Sequence, residues 1–143
     1  MPKVSVLMAV YKTPEAYLRA AIESILAQTY NDFEFLILDD CPEDDREKIV
    51  KLYADKRIKY SKNTQNMGIS ASRNKLIDMA KGKYLAIFDH DDISLPERLA
   101  KEAAYLDSHP ECGIVSCASK NLIGGKVGVY PENNQDIIAQ LFV

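Results

Sequence analysis

Short apolar segments of strand length alternate along this chain with segments whose apolar residues recur at helical spacing. The strand-like segments are Val4–Val10, Phe33–Leu38, a weaker one at Arg57–Tyr60, Tyr84–Phe88 and Ile114–Cys117. Because the stronger ones are nearly all apolar, they are typical of strands buried on both faces, and Tyr84–Phe88 is the clearest of them. Strands alternating with helices predict βαβ units with right-handed crossovers. We therefore expect an α/β fold with a mainly parallel sheet.

The segments between these strands have the periodicity of amphipathic helices. The first spans Leu18–Leu26, with Thr13 expected as its cap and Pro14 at its first position. Further helices are predicted at Arg46–Tyr53, at Ser70–Ala80, from Pro96 to just before Pro110, and from Asp136 to Leu141. Gly82 is expected to end the Ser70–Ala80 helix. Asn63–Gly68 and the glycine-rich stretch Gly124–Gly128 are expected to be loops.

Length and composition exclude several classes of protein. The 143 residues suit a single domain with one core, and a net charge of −3 gives no basic surface for nucleic acid. No apolar run approaches the ~20 residues of a membrane-spanning helix, and the N-terminus does not resemble a signal peptide. Three cysteines are too few for a disulfide scaffold. We therefore expect a cytoplasmic domain, or one piece of a longer protein.

Polar residues collect where the predicted strands end. They are Tyr11 and Lys12 after the first strand, Asp39 and Asp40 after the second, and Asp89, His90, Asp91 and Asp92 after the third strong strand. An open parallel sheet binds its ligands outside the carboxyl ends of its strands. If the sheet is parallel, these three groups converge at one edge.

The acidic run Asp89–Asp92 is the sharpest of these signals. Clustered carboxylates repel one another unless a cation compensates them, and their oxygens suit Mg²⁺ or Mn²⁺ shared with a diphosphate. The alternative is a solvated acidic turn in which Asp92 or Ser94 caps the helix that begins near Pro96. At the carboxyl edge of a sheet, the metal interpretation is favoured.

The other polar residues at this edge have two interpretations each. One of Asp39 and Asp40 is expected to cap the helix after Pro42, which leaves the other to accept hydrogen bonds from a base or ribose. Tyr11 either stacks on a nucleobase or closes the top of the core. Arg73 either meets a phosphate or pairs with the nearby aspartates, and the two roles are compatible.

The remaining candidate residues give weaker indications of function. His90 is expected to be a loop residue, and a helix-dipole contact explains His109. Cys112 and Cys117 lack the partners of a zinc site. The chain has neither a G-x-G-x-x-G fingerprint after the first strand nor a G-x-x-x-x-G-K-[ST] loop. This argues against a dinucleotide oxidoreductase and a P-loop enzyme.

Six segments occur in an order that is far more specific than any one of them. They are Val4–Tyr11, Ser24–Tyr30, Asp32–Glu34, Asp39–Asp40, Asn66–Asn74 and Gly82–Asp92. In this order the chain resembles family 2 glycosyltransferases, from Pro2 to about Ser119. The resemblance implies a GT-A fold, a Rossmann-like α/β/α sandwich. It also implies a nucleotide-diphospho-sugar donor, with a UDP-sugar favoured, and Mn²⁺ or Mg²⁺ bound at a D-x-D motif.

The resemblance also assigns roles to individual residues. The nucleotide-binding set would be Ala9, Val10, Tyr11, Asp40, Arg73 and Asp89, and the metal ligands would be Asp91, Asp89 and Asp92. Among the metal ligands, Asp91 is the best match for direct contact. Sugar transfer in this family inverts the anomeric centre, with the metal offsetting charge on the departing diphosphate and a carboxylate base activating the acceptor.

Two features depart from the family pattern. Cys41-Pro42 stands where the family usually has Gly-Ser, and the family's acceptor-binding half and base are expected downstream of Val143. We therefore expect residues 1–119 to be a donor-binding core and residues 120–143 the start of an incomplete acceptor-side region. Alone, such a half would bind nucleotide but transfer sugar poorly. The apolar end Leu141–Val143 would allow it to form a homodimer.

The acceptor is left open as a glycan, a lipid-linked sugar or a protein, in a setting such as polysaccharide biosynthesis. Association with the inner face of a membrane is also open.

Two other functions compete with the glycosyltransferase interpretation. One is a nucleotide-binding or interaction module that has lost catalysis. The other is a phosphatase in which Asp89 is the nucleophile and Asp91 its acid/base partner.

Overall fold

Parallel strands joined by helices make up the first part of the chain. The computed structural model describes residues 1–121 and 124–128. In chain order the elements are β1 (Val4–Val10), α1 (Glu15–Leu26), β2 (Phe33–Asp39), α2 (Glu47–Val50), β3 (Ile58–Lys62), α3 (Ile69–Met79), β4 (Tyr84–Ile87), α4 (Arg98–Ser108), β5 (Ser119–Lys120) and β6 (Val127–Gly128). Two compact units divide within α4, between Ala103 and Ala104.

The first unit contains one four-stranded sheet with the order β3-β2-β1-β4, and every pair in it is parallel. The register sets Val10 beside Asp39 and Asp39 beside Lys62. The carboxyl ends of β1, β2 and β3 therefore lie at one edge, as the sequence predicts. The expected α/β fold with a mainly parallel sheet is confirmed.

The two central strands are buried along their whole length, which explains their unbroken apolar sequence. Alternate residues of β1 enter two clusters on opposite faces of the sheet. The larger cluster includes the buried face of α1, and the smaller one includes Leu76 of α3. Each fully buried Leu or Ile in these clusters contributes about 1.5–3 kcal/mol through its removal from water. Together the two clusters fix the sheet between its helices.

The expectation for β4 is wrong in one respect. This strand lies at the edge of the sheet, and Leu85 and Ile87 are 46% and 41% exposed, while Ala86 between them is buried. Apolar composition predicted a strand covered on both faces, but a strand is covered only where neighbouring elements exist. Within the described residues, one face of β4 remains open to solvent.

The last part of the described chain also differs from the expectation. Ile114–Cys117 forms no strand, and Ile114 is 85% exposed. Instead β5 and β6 pair antiparallel, and Gly124 and Gly125 have the positive φ angles that the turn between them requires. The predicted helix from Asp136 and the apolar end Leu141–Val143 lie outside the described residues.

Two predicted helix signals are wrong in detail. Pro14 occupies the N-cap of α1 rather than its first helical position, and the Thr13 hydroxyl is buried with no hydrogen-bond partner in the described part of the chain. The helix α3 ends at Met79 with Ala80 in an extended conformation, so Gly82 does not form its cap. Gly82 instead lies against the backbone of β1. In the described ranges, no helix has the length and apolar character to cross a bilayer.

Candidate functional site

A pocket opens at the carboxyl edge of the sheet, where the sequence places its polar residues. Tyr11 follows β1, Asp40 follows β2, and the acidic turn Asp89–Asp92 follows Phe88 after β4. The pocket is lined by Ala9, Val10, Tyr11, Asp40, Ile69, Ser72 and His90. The parallel topology thus brings together residues that are as far apart in the chain as Ala9 and His90.

Asp40 is the most completely bonded polar residue of the pocket, and it is only 3% exposed. Its Oδ1 accepts hydrogen bonds from Asn63 Nδ2 at 2.7 Å and from the Met67 amide at 2.8 Å, and its Oδ2 accepts one from the Gly68 amide at 2.8 Å. Burial by itself would raise the pKa of Asp40, but these hydrogen bonds outweigh it and leave the pKa below its usual value. The carboxylate is therefore ionised at neutral pH and holds the loop before α3.

Two of the residues around Asp40 have no role in the sequence-based prediction. Asn63 is buried beyond the end of β3, and its Nδ2 also lies 3.2 Å from Ser72 Oγ. Lys75 Nζ donates to Asn63 Oδ1 at 2.8 Å, which turns the amide so that its NH₂ group faces Asp40. The strand-end rule, applied to β3 as well, would have identified Asn63. No local sequence signal marks Ser72.

Asp39 has a structural role that differs from the one expected. Its Oδ1 accepts from the Cys41 amide at 2.9 Å and its Oδ2 from the Tyr60 hydroxyl at 2.9 Å. Burial raises the pKa of Asp39 despite these bonds, and burial beside Asp39 also raises the pKa of Tyr60. Neither aspartate caps the helix after Pro42, because α2 begins at Glu47, its N-cap is Arg46, and no side chain caps it. The capping prediction is wrong, since the hydrogen-bond partners of both carboxylates lie outside α2 and its N-cap.

Tyr11 lies at the rim of the pocket rather than over the core. Its side chain is 42% exposed, so it does not close the core in the way the alternative interpretation requires. The Lys12 ammonium lies 5.2 Å from the centre of the ring. Lys12 has a φ of 48°, a left-handed conformation that turns the chain sharply after β1. The ring is therefore available to a ligand that enters the pocket.

The acidic turn is exposed and is tied to α3 by one ion pair. Arg73 Nη2 lies 2.6 Å from Asp89 Oδ1, which confirms the expected pairing. The side chains of Asp89 and Asp91 are 52% and 58% exposed. Burial raises the pKa of Asp92, and the charges of Asp89 and Asp91 raise it further. The turn therefore carries mutually repelling carboxylates.

The side-chain acceptor at the start of α4 is Gln28, which lies just after α1. Gln28 Oε1 accepts the Leu99 amide at 3.0 Å, and Gln28 Nε2 lies 3.1 Å from Ser94 Oγ. The capping role that the alternative interpretation gave to Asp92 or Ser94 is therefore wrong. Ser94 is anchored toward α1 instead, since its amide donates to Ser24 Oγ at 3.1 Å.

The carboxylates fit a divalent cation only if a ligand supplies part of its shell. No three Asp, Glu, His or Cys side chains converge to hold a metal ion within residues 1–121 and 124–128. Mg²⁺ is usually held by one or two carboxylates together with substrate phosphates, so a complete protein cage is not required. The oxygen donors of Asp89, Asp91 and Asp92 suit such a shared ion.

His90 takes a more central position than the sequence predicts. It lines the pocket, and its Nδ1 is buried with no hydrogen-bond partner among the described residues, 3.9 Å from Asp91 Oδ1. His109 lies at the end of α4 and stacks on Tyr105, which agrees with a structural role. Among the described residues, neither Cys112 nor Cys117 forms a disulfide.

A larger surface depression lies near the start of β3, away from the acidic turn. It is lined by Asn31, Ala54, Asp55, Lys56 and Arg57. Arg57 pairs with Asp55 at 2.7 Å and its guanidinium lies 4.5 Å from the centre of the Phe33 ring. These contacts stabilise the amino ends of β2 and β3, and the depression has none of the groups that gather at the opposite edge.

Several known proteins with similar sequences are named as glycosyltransferases. Over 117 residues the chain is 48% identical to an uncharacterized glycosyltransferase of Methanocaldococcus jannaschii. The aligned region covers 80% of this chain and 40% of that protein. It is 32% identical over 108 residues to the UDP-Glc:alpha-D-GlcNAc-diphosphoundecaprenol beta-1,3-glucosyltransferase of Escherichia coli, covering 76% of this chain and 43% of that one. The chain thus spans about two fifths of the length of these relatives.

Solved structures agree with this similarity. TarS 1-349 of S. aureus superimposes with a TM-score of 0.74 at 28% identity, covering 90% of this chain and 38% of that one. The same protein in complex with UDP-GlcNAc gives a TM-score of 0.70 at 31% identity, and the superposition covers 76% of this chain and 32% of that one. The fold is therefore GT-A.

The chain also matches the family described as Glycosyl transferase family 2 over residues 5–135. The parallel sheet, the pocket at its carboxyl edge and this match over most of the sequence place the chain in glycosyl transferase family 2.

Proposed function

We propose that this chain binds the nucleotide of a UDP-sugar and supplies the donor site of an inverting, metal-assisted glycosyl transfer. One observation carries the proposal: a single pocket places an exposed aromatic ring and an ionised, buried carboxylate beside a turn with three aspartates. An aromatic ring and an acceptor suit a nucleobase, and the acidic turn suits a metal bound to a diphosphate.

Asp40 supports the base-binding part of this proposal by its charge and its position. It is ionised, and it lines the pocket together with Tyr11. Its carboxylate accepts hydrogen bonds from Asn63, Met67 and Gly68, and the Ser72 hydroxyl also stabilises its ionised form. We propose that a base N–H shares one of these acceptor oxygens while Tyr11 stacks on the ring. The backbone of Ala9 and Val10 would form the floor.

Arg73 and the acidic turn support the diphosphate-binding part. The Arg73 guanidinium has five N–H donors, of which Nη2 faces Asp89, so the same group is suited to contact a phosphate as well. We propose Asp91, with Asp89 and Asp92, as the residues that would hold Mn²⁺ or Mg²⁺. As a Lewis acid, the ion would stabilise the charge that develops on the departing diphosphate. Arg73 would add a fixed positive charge beside it.

The uridine base is favoured by two relatives. TarS has been solved with UDP-GlcNAc and with UDP, and the E. coli relative is named for UDP-Glc. The name of the E. coli relative also contains a lipid-linked acceptor, a sugar on diphosphoundecaprenol. We propose a sugar acceptor for this chain, free or lipid-linked, in the assembly of a polysaccharide.

Metal-dependent binding of UDP tests this function directly. In calorimetric titrations, we expect Mn²⁺ to tighten UDP binding by about tenfold or more, because the ion joins the aspartates to the diphosphate. The Asp91→Ala variant should lose this gain. Asp78→Ala removes an exposed carboxylate from the far end of α3 and should bind like the natural chain. Equal Mn²⁺ gains in Asp91→Ala and the natural chain would rule out the metal assignment.

Sugar transfer by these 143 residues is a separate prediction. The chain corresponds to about two fifths of its relatives, and we propose that acceptor binding and the catalytic base come from sequence like the remainder of those proteins. We expect UDP binding without transfer above the rate of UDP-sugar hydrolysis in buffer, measured with UDP-Glc and UDP-GlcNAc by release of UDP. Sustained turnover with any acceptor would show that the chain contains its own base.

A further inference from the structure

The acidic turn is a short exposed segment held between two buried residues. Phe88 before it is 4% exposed, and its amide donates to the Leu7 carbonyl at 3.0 Å. Ser94 after it is 5% exposed. The three carboxylates between them repel one another, and Arg73 binds one of them. The shape of the turn therefore depends on how firmly its two ends are fixed.

The first end is fixed by the sheet, and the second end is fixed by α1. Ser24, on the last turn of α1, accepts the Ser94 amide with its Oγ at 3.1 Å. Just after α1, Thr29 donates its amide to the Pro96 carbonyl at 2.8 Å. Both contacts join residues about seventy positions apart in the sequence.

Gln28 is the centre of this attachment and is 4% exposed. Its Nε2 lies 2.7 Å from the Leu95 carbonyl and 3.1 Å from Ser94 Oγ, and its Oε1 accepts the Leu99 amide at 3.0 Å. The last contact satisfies one of the amides that are left without partners at a helix start. One buried amide thus binds both the segment after the acidic turn and the beginning of α4.

We propose that Ser24 and Gln28 are positioning residues for the acidic turn, which fix its C-terminal end so that its aspartates can share one metal ion with a bound diphosphate. The proposal rests on the proposed donor-binding function. It gives a reason for the segment Ser24–Tyr30, which is part of the ordered motif set but does not line the pocket. Its side chains act on the site through the backbone of residues 94–99.

The Gln28→Met variant tests this role, because Met keeps the length of the side chain and removes every hydrogen bond. Val50→Ala is the matched control, since Val50 is a buried residue of the α1 side of the core with no part in the attachment. The first readout is amide hydrogen exchange of the chain without ligand. We expect exchange of the Ser94 and Leu99 amides to become about tenfold faster or more in Gln28→Met, and not in Val50→Ala.

The second readout is the ratio of UDP affinities with and without Mn²⁺. We expect this ratio to fall about tenfold in Gln28→Met, with metal-free UDP binding nearly unchanged, because the base-binding residues do not contact Gln28. In Val50→Ala the ratio should stay as in the natural chain. Ser24→Ala removes one hydrogen bond to the segment after the acidic turn, from the Ser94 amide, and one within α1, to the Ala21 carbonyl. It should give a smaller change in the same direction. It replaces Gln28→Met if that variant does not fold.

Each outcome decides the proposal. Unchanged exchange at Ser94 and Leu99 would show that the attachment does not hold this segment. Faster exchange with an unchanged Mn²⁺ ratio would make Gln28 a purely structural residue and overturn the positioning role. If the natural chain binds no UDP under any condition, the proposed function fails. In that case the exchange experiment still shows whether Gln28 holds the segment. The positioning role is then also overturned, because there is no shared metal ion for the aspartates to bind.

Discussion

The Asp40→Asn variant should unfold with a free energy about 2–4 kcal/mol lower than that of the natural chain, and it should bind UDP too weakly to measure. The physical reason is that three donors converge on this buried carboxylate, from Asn63, Met67 and Gly68. An amide in its place offers one oxygen and turns an NH₂ group toward a donor, so that buried groups lose their partners. Urea unfolding at neutral pH measures the first effect and calorimetry the second.

The effect of Asp40→Asn should depend on pH in a defined direction. Because the pKa of Asp40 is lowered in the folded chain, its ionised form stabilises the fold at every pH above the unfolded value of about 3.9. That contribution is lost as the pH falls through the lower, folded pKa. The stability difference between the natural chain and Asp40→Asn should therefore be full at pH 6–7 and shrink below about pH 4.

Asp78→Asn is the control for this experiment, since Asp78 is exposed on α3. It should leave both stability and UDP affinity unchanged. If Asp40→Asn proves as stable as the natural chain at neutral pH, the hydrogen bonds around Asp40 do not have the strength that the geometry indicates. If it is destabilised but binds UDP normally, Asp40 organises the loop before α3 without contacting the base.

The Gly82→Ala variant is expected to show the second large effect, a loss of about 3 kcal/mol in the free energy of unfolding. A Cβ at this position would lie 2.5 Å from the backbone nitrogen of Ser5 and 2.7 Å from the carbonyl carbon of Val4. Both atoms belong to β1 in the middle of the sheet, so they cannot move aside. The turn between α3 and β4 would have to move away from the strand.

That movement would also break a buried polar network. Ser5 Oγ accepts the Gly82 amide at 2.8 Å and donates to Glu34 at 2.7 Å, and Glu34 accepts the Lys81 amide at 2.7 Å. Lys59 lies 2.5 Å from the same carboxylate. Burial opposes ionisation of Glu34, but the bonds from Lys59, Ser5 and Lys81 keep its pKa below the usual value. A displaced turn would leave part of this ionised, buried network without partners.

Gly113→Ala provides the matched control, because a Cβ there meets nothing within 4 Å and the backbone conformation suits any residue. Thermal and urea unfolding should show a large loss for Gly82→Ala and almost none for Gly113→Ala. A Gly82→Ala chain of normal stability would mean that the α3–β4 turn is free to move, and the close approach to β1 would then have no energetic importance.

The sequence alone determined the order of elements from β1 to α4 and the edge of the sheet that carries the site. The bounds of β1 agree with its predicted apolar run, and β2 is one residue longer than the run predicted for it. The agreement arises because both strands are covered on both faces, and an unbroken apolar run indicates such burial. The same rule misjudged β4, since a run of apolar residues does not reveal whether a neighbouring strand or helix is present. The convergence of Tyr11, Asp40 and the acidic turn followed from parallel topology, which needs no side-chain detail.

Only the tertiary structure decided which polar residue does what. Asp39 and Asp40 are adjacent and chemically identical, yet one supports a loop and the other faces the pocket, because successive residues point to opposite sides of the sheet. The partners of Gln28 beyond α1 lie 66 to 71 residues away, and those of Asp40 lie 23 to 32 residues away. Local propensity and periodicity extend over a few residues, so contacts across such separations are fixed only when the chain packs.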